Sequence, residues 1–212
     1  MVWREEAAQS RRAVASGEGY WARPVPGFGD PDARLVLVGL APAAHGGNRT
    51  GRMFTGDRSG DFLFSALHRA GFASMPESTG PDDGLRLSGA YVTAAVRCAP
   101  PANRPLPEER DRCAAFLAEE LEILSGARVL LALGAFALDA LWRLPLVSMG
   151  APCRRPRFAH GAELALAPGG PGQRRRTLVC SYHPSQRNVF TGLLTQEMFD
   201  TLMVRVRALA DR

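Results

Sequence analysis

The sequence predicts an α/β protein built on a mainly parallel, four-stranded sheet covered by helices on both faces. Two observations carry that prediction. Apolar runs recur at Leu35–Leu40, Ala90–Val96, Val129–Leu133 and Thr177–Tyr182, each without the polar alternation of a half-solvated strand. The connections between them are long enough to hold helices, which is what parallel pairing requires. In such sheets ligands bind beyond the carboxyl ends of the strands.

Taken in order, residues 3–15 have helix-forming composition, and a glycine- and proline-rich connector from Gly17 to Asp32 leads into the first strand. Asp57 to Ala70 reads as a helix, with Ser59 and Asp61 near its start, Phe62, Leu63, Ala66 and Leu67 on one face, and Gly71 as its stop. Pro105 to Leu124 opens on prolines and acids and continues with Phe116, Leu117, Leu121 and Leu124 at helical spacing. After the third strand Gly134 turns the chain into a short helix, Ala135 to Leu144. Ser148 to Arg176 reads as an irregular connection rich in Arg, Gly and Pro, and Thr195 to Ala210 as a closing amphipathic helix.

The 212 residues, 46% hydrophobic and 22% charged, suit one globular domain over 1–212 that needs no disulfide staples. No run approaches the length of a bilayer span, and Met1 to Glu6 lacks the apolar core of a signal peptide, so the expected location is the cytoplasm. All 26 basic residues are arginine, and the net charge is +5. An excess of guanidinium favours polyanionic partners, nucleic acid first among them. The four cysteines, Cys98, Cys113, Cys153 and Cys180, include no C-x-x-C pair, and Cys180 within its apolar strand reads as a core residue.

The first strand discharges into a long loop, Gly39 to Asp57, that holds several glycines, His45, Arg49, Arg52, Phe54 and an acid. So permissive a loop suits backbone that approaches a ligand closely. Strand two releases Arg97 to Arg104, and strand four releases His183-Pro184-Ser185-Gln186-Arg187-Asn188, so the three loops are expected on one rim. With no lysine there is no phosphate-loop motif, and Gly39 to Gly46 does not fit G-x-G-x-x-G. Nucleophile-elbow and H-E-x-x-H contexts are also missing. What remains is an acid, a histidine, an asparagine and an aromatic at a basic rim, a set suited to cleaving an N-glycosidic bond. His183 would stabilise the charge developing on the leaving base, Asp57 the sugar cation or the attacking water, and Phe54 would face an extruded base flanked by arginine-held phosphates. Each residue also has a plainer role: His183 as a strand-ending ring, Asp57 as a helix-start acid, Asn103 as a turn residue, Phe54 as core.

These loops resemble the uracil-DNA glycosylase superfamily, in particular its family 5 branch. Gly39 to Arg52 is similar to that branch's first motif, His183 to Asn188 to the superfamily's closing motif, and Arg97 to Pro105 to a segment shared with family 4. The resemblance implies a three-layer α/β/α sandwich that removes uracil, and other deaminated bases such as hypoxanthine, from double-stranded DNA. Phe54 matches the base-stacking aromatic, Asp57 and His183 the catalytic pair, and Asn103 a further functional asparagine. Gly39, Ala41, His45 and Phe54 are thus expected at the substrate, and Arg49, Arg52, Ser185, Gln186, Arg187 and Asn188 at the DNA, the last four in a loop that enters the duplex.

Two departures bear on chemistry. Leu40-Ala41-Pro42-Ala43 stands where most of the superfamily presents a water-activating polar residue, and Ala94 replaces the asparagine that reads uracil in family 4, which implies a broader pocket. The resemblance further implies a [4Fe-4S] cluster on four cysteines. Cys98 and Cys113 match two of its ligands; the other pair has no match in this chain, as though an upstream extension carried it, so the chain as written is expected to bind no complete cluster. Without lysine there is no side-chain amine for a Schiff base, so the chemistry is expected to be hydrolytic. A non-catalytic damaged-DNA or nucleotide-binding protein, and a hydrolase of free nucleosides, are the alternatives. The expected partner is double-stranded DNA containing deaminated bases, with no membrane, and the chain is expected to act as a monomer.

Overall fold

The computed structural model describes residues 3–10, 13, 17, 19–151, 154–168 and 175–212. A short helix α1 (Trp3–Ala8) precedes β1 (Phe28–Gly29) and β2 (Leu35–Gly39), and the loop after β2 holds one helical turn, α2 (Gly47–Thr50). There follow α3 (Arg58–Arg69), β3 (Ala90–Ala94), a 3-10 turn at Pro101–Asn103, α4 (Pro107–Ile123) and β4 (Val129–Leu133). The chain closes with α5 (Ala135–Trp142), α6 (Pro145–Ser148), β5 (Glu163–Leu166), β6 (Arg176–Ser181), α7 (Gln186–Phe190) and α8 (Gln196–Ala210).

The sheet has six strands in the order β1-β3-β2-β4-β6-β5, not the expected four. Its four central strands are the predicted ones and run parallel, in register from Leu35 opposite Ala90 and Val129, and from Val129 opposite Thr177. The two additional strands, β1 and β5, pair antiparallel at the edges. They escape the sequence reading because one is only two residues long and the other lies inside the Arg-, Gly- and Pro-rich connection; both owe their existence to pairing with a longer strand, β1 with β3 and β5 with β6.

Alternation along the buried strands divides the core in two. Leu35, Leu37, Val92, Leu131 and Val179 pack on the side covered by Leu63, Phe64 and Leu67 of α3 and Phe199, Met203 and Val206 of α8. Val36, Val38, Leu130, Leu178 and Cys180 pack against Leu117 and Leu121 of α4 and Leu138 and Leu141 of α5. The result is the three-layer α/β/α arrangement expected, with Cys180 in the core, its thiol pushed up to about 11 by burial. Chain connection runs from β2 outward to β3 on one side, while β4 pairs on the other side of β2. The carboxyl ends of β2 and β4 therefore flank a topological switch point, where open α/β sheets form their crevice.

Candidate active site

A cavity of about 600 Å³ lies at that crevice. The exit of β2 contributes Leu40, Ala41, Ala43, Phe54 and Asp57; the exit of β6 contributes Tyr182, His183 and Ser185 to Asn188. The exit of β4 contributes Leu133 to Phe136, which the sequence reading did not include, and Phe158 and Arg58 line the cavity as well. From the loop after β3 only Asn103 reaches it.

Asp57 is fixed by the helix it starts. As the N-cap of α3 it adopts extended backbone, and its Oδ1 accepts the amides of Ser59 at 2.9 Å and Gly60 at 3.0 Å. The plainer and the catalytic reading of this residue are therefore compatible, since one oxygen caps and the other lies against Gly46, where a Cβ would overlap it. Burial raises the Asp57 carboxyl above its ordinary value, against those same two amides, which favour the charged form.

Phe54 occupies left-handed backbone at φ +53°, costly for a bulky residue by about 1–3 kcal/mol. Its ring lies over the end of β2, where a Cβ on Gly39 would come within 2.7 Å of it; only glycine leaves that seat open. Gly39 thus serves the cavity through its lack of a side chain. Its register partner is Ala94, buried behind the seat and not on the cavity wall. Phe54 stacks on His183 with ring centroids 5.9 Å apart and 29° between planes.

His183 follows β6 by two residues. Among the described residues its Nδ1 is buried without a hydrogen-bond partner, and burial pushes the imidazole down to about 4, so the ring is neutral at neutral pH. Asn188 donates from its side chain to the His183 carbonyl at 2.9 Å, which ties α7 to the strand end. The segment expected as a loop is this helix, capped by Ser185, whose Oγ accepts the Asn188 amide at 3.3 Å. Gln186 and Arg187 are exposed on it, and its last residue, Phe190, is 90% exposed. Asn103 lies exposed on a turn where both it and Ala102 have positive φ, 55° and 50°. That strain is held against an otherwise regular framework.

Three expectations change. Arg52 is not a surface phosphate contact: it is 6% exposed and pairs with Asp83, with Ser78 Oγ at 2.7 Å and Thr55 Oγ1 at 3.1 Å. Burial opposes the Asp83 charge, yet Arg52 and the amides of Leu85, Thr79 and Gly80 hold its pKa down at about 2. Arg49 is half-buried, its Nε donating to the His45 carbonyl at 3.1 Å, and it does not line the cavity. His45 faces a neighbouring cleft shared with Asp57 and Asn103, its Nδ1 2.9 Å from the Tyr20 hydroxyl. The exposed cations at the cavity are instead Arg58 and Arg187.

Cys98 and Cys113 are buried near one another against α1, where the Arg4 guanidinium donates to the Cys98 sulfur at 3.3 Å. Burial raises the Cys113 thiol, Cys98 adding to the effect. Cys153 lies outside the described residues. Among the described residues no group of three or more His, Cys, Asp or Glu could hold a metal ion, and Cys98 and Cys113 are two thiols where a four-thiolate cluster needs four. Among the described residues no helix is long and apolar enough to cross a membrane.

Sheet, crevice, acid and neutral imidazole together define an α/β protein with an aromatic-lined cavity that holds a carboxylate and an uncharged imidazole. Comparison with known proteins is more specific. The chain belongs to the Uracil DNA glycosylase superfamily, whose family model matches residues 26–207. It is 53% identical to the Type-5 uracil-DNA glycosylase of Thermus thermophilus over 99% of this chain and 90% of that protein. It is 49% identical to that of Mycobacterium leprae over 98% and 87% of the two chains. Against the Type-5 uracil-DNA glycosylase of Pyrobaculum aerophilum the identity is 48%, over 89% of this chain and 77% of that one.

Proposed function

We propose that this uracil-DNA glycosylase takes uracil and other deaminated bases, hypoxanthine among them, out of double-stranded DNA into the crevice and hydrolyses the N-glycosidic bond there. The observation that carries the reading is the placement of Asp57 and an uncharged His183 on facing exits of the parallel sheet, with the Phe54 ring stacked on the imidazole.

The extruded base lies against Phe54 and the cavity aromatics. As the bond from C1′ of the sugar to the base nitrogen breaks, its electron pair stays with the base, and a neutral imidazole N–H of His183 donates to the base oxygen where that charge collects. A neutral ring suits this task because it stabilises the leaving anion without first giving up its proton. The free oxygen of Asp57 faces the positive sugar and the incoming water, and accepts the proton that the water loses on joining C1′. No polar side chain at Leu40 to Ala43 shares this work, so these residues serve as floor. Arg58 and Arg187 hold phosphates at the rim, and α7, with Phe190 standing clear of the protein, enters the duplex at the extruded nucleotide.

Duplexes labelled on one strand and carrying a single uracil, hypoxanthine or matched base test the reading. Alkali after incubation is expected to nick the uracil and hypoxanthine strands alone, with no nick before alkali. Absence of abasic product from every duplex would overturn the glycosylase reading; product from uracil only would overturn the wider base range.

A further inference from the structure

His160 takes no part in the chemistry above and does not line the cavity, yet it is bound closely to a residue that does. Its Nδ1 lies 3.3 Å from the Tyr182 amide nitrogen, and its ring stacks on that of Tyr182 with centroids 5.3 Å apart and 20° between planes. Phe158 tilts against the same tyrosine at 6.0 Å. The turn bearing His160 is itself pinned to β6: the Gly161 amide donates to the Cys180 carbonyl at 2.8 Å, and the Cys180 amide to the Ala162 carbonyl at 2.9 Å. Edge strand β5, which begins at the next residue, Glu163, extends that anchorage by pairing Glu163 with Val179.

The amide of Tyr182 can only donate, so the Nδ1 that meets it must be the unprotonated nitrogen, and the hydrogen of the neutral ring sits on Nε2. Burial lowers the His160 pKa against the pull of the Met198 carbonyl, in keeping with a neutral ring. Tyr182 is half-buried on the cavity wall and is joined by one peptide to His183, so any rotation of its backbone is passed to the imidazole. Among the described residues its hydroxyl has no protein partner, which leaves both a donor and an acceptor for a bound base.

We propose that Tyr182 is the wall that holds the extruded base in line with His183, and that His160 is the positioning residue that sets Tyr182. The proposal rests on the glycosylase reading. Misplacement of a reacting group by a fraction of an ångström is enough to slow a positioned reaction severalfold to a hundredfold, and support of this kind is usually supplied from outside the contact layer.

The test is the single-turnover excision of uracil from duplex DNA as enzyme concentration is raised, which separates the maximal rate from the half-saturating concentration. His160→Ala is expected to lower the maximal rate about tenfold with the half-saturating concentration unchanged. His160→Asn, whose side-chain oxygen can accept the Tyr182 amide, is expected to recover most of it. Tyr182→Leu is expected to lose at least as much as His160→Ala, and the double variant no more than Tyr182→Leu alone, because the two residues act as one unit. An unchanged maximal rate in His160→Ala, no recovery in His160→Asn, or additive losses in the double variant would each overturn the proposal. A native chain that excises no uracil would instead overturn the glycosylase reading beneath it, and the proposal with it.

Discussion

Asp57 enters the cavity from a loop whose polar groups are largely spent on the loop itself, whereas His183 enters from a strand end where one ring nitrogen is buried with no partner among the described residues. On the β2 side Arg52 is locked inside by Asp83, Arg49 bonds the His45 carbonyl, and the acid caps a helix. On the β6 side Arg187 is exposed and the Asn188 side chain ties α7 back to the His183 carbonyl beyond the strand end. The acid's position is thus part of the fold, while the histidine's protonation is set by burial alone. The first wall provides geometry at the expense of a raised carboxyl pKa; the second provides an uncharged donor.

The largest effects should come from separating charge from geometry. Asp57→Asn keeps an oxygen for the Ser59 and Gly60 amides, so it is expected to retain the melting temperature while single-turnover excision falls about 10²–10⁴-fold. His183→Ala is expected to lose about 10²–10³-fold. If Asp57→Asn instead melts as low as Asp57→Ala, the cap and the chemistry are not separable and the contrast between the walls fails.

Arg52→Ala is next, and it should act on the fold. Leaving Asp83 buried without its partner is expected to cost about 3–5 kcal/mol in denaturant unfolding. Salt dependence of DNA binding should stay as in the native chain, and a reduced salt slope would return Arg52 to the DNA. The same pair predicts acid sensitivity: with the folded pKa of Asp83 near 2, below its unfolded value, its stabilisation is present above the unfolded pKa and is lost as pH falls through the folded one.

The pH profile of the maximal rate sharpens the comparison further. On the proposed chemistry Asp57 works as the carboxylate, and because burial raises its pKa, the acid-side fall in activity should lie above the pH of an ordinary aspartate. His183, held neutral down to about 4, should contribute no inflection near the ordinary histidine value of 6.5. An inflection that survives in Asp57→Asn and vanishes in His183→Ala would show the ring to be charged.

The smallest effect belongs to the exposed rim. Arg187→Ala is expected to weaken duplex binding and to lower the salt slope by about 1, leaving the maximal rate near native. A rate loss as large as that of His183→Ala would place Arg187 in the chemistry.

The parts legible in the sequence were those with local causes. The third strand, Val129–Leu133, is found at the bounds read from its apolar run, and the helix starting at Asp57 announces itself by its acid and the apolar spacing after it. Asp57, Phe54 and His183 were drawn together because the sheet class alone sends their loops to one rim. The parts that were not legible depend on distant partners. Arg52 differs from any loop arginine through its partners, among them Ser78 and Asp83, 26 and 31 residues on. The edge strands exist through their neighbours, and Phe158 reaches the cavity from the connection that leads into β5. Gly134 carries the signal for the β4 wall: a strand exit in a parallel sheet belongs to the crevice whatever its chemistry.

Because the Asp57 carboxylate caps α3 and the same side chain lines the cavity, the first turn of that helix and the cavity wall share one residue. Whenever the turn frays, the acid leaves its place, so the exchange of the Ser59 and Gly60 amide hydrogens with solvent reports how often the carboxylate is out of position. A stabilised variant in which those two hydrogens exchange more slowly would hold the carboxylate in place for more of the time, with nothing at the cavity altered.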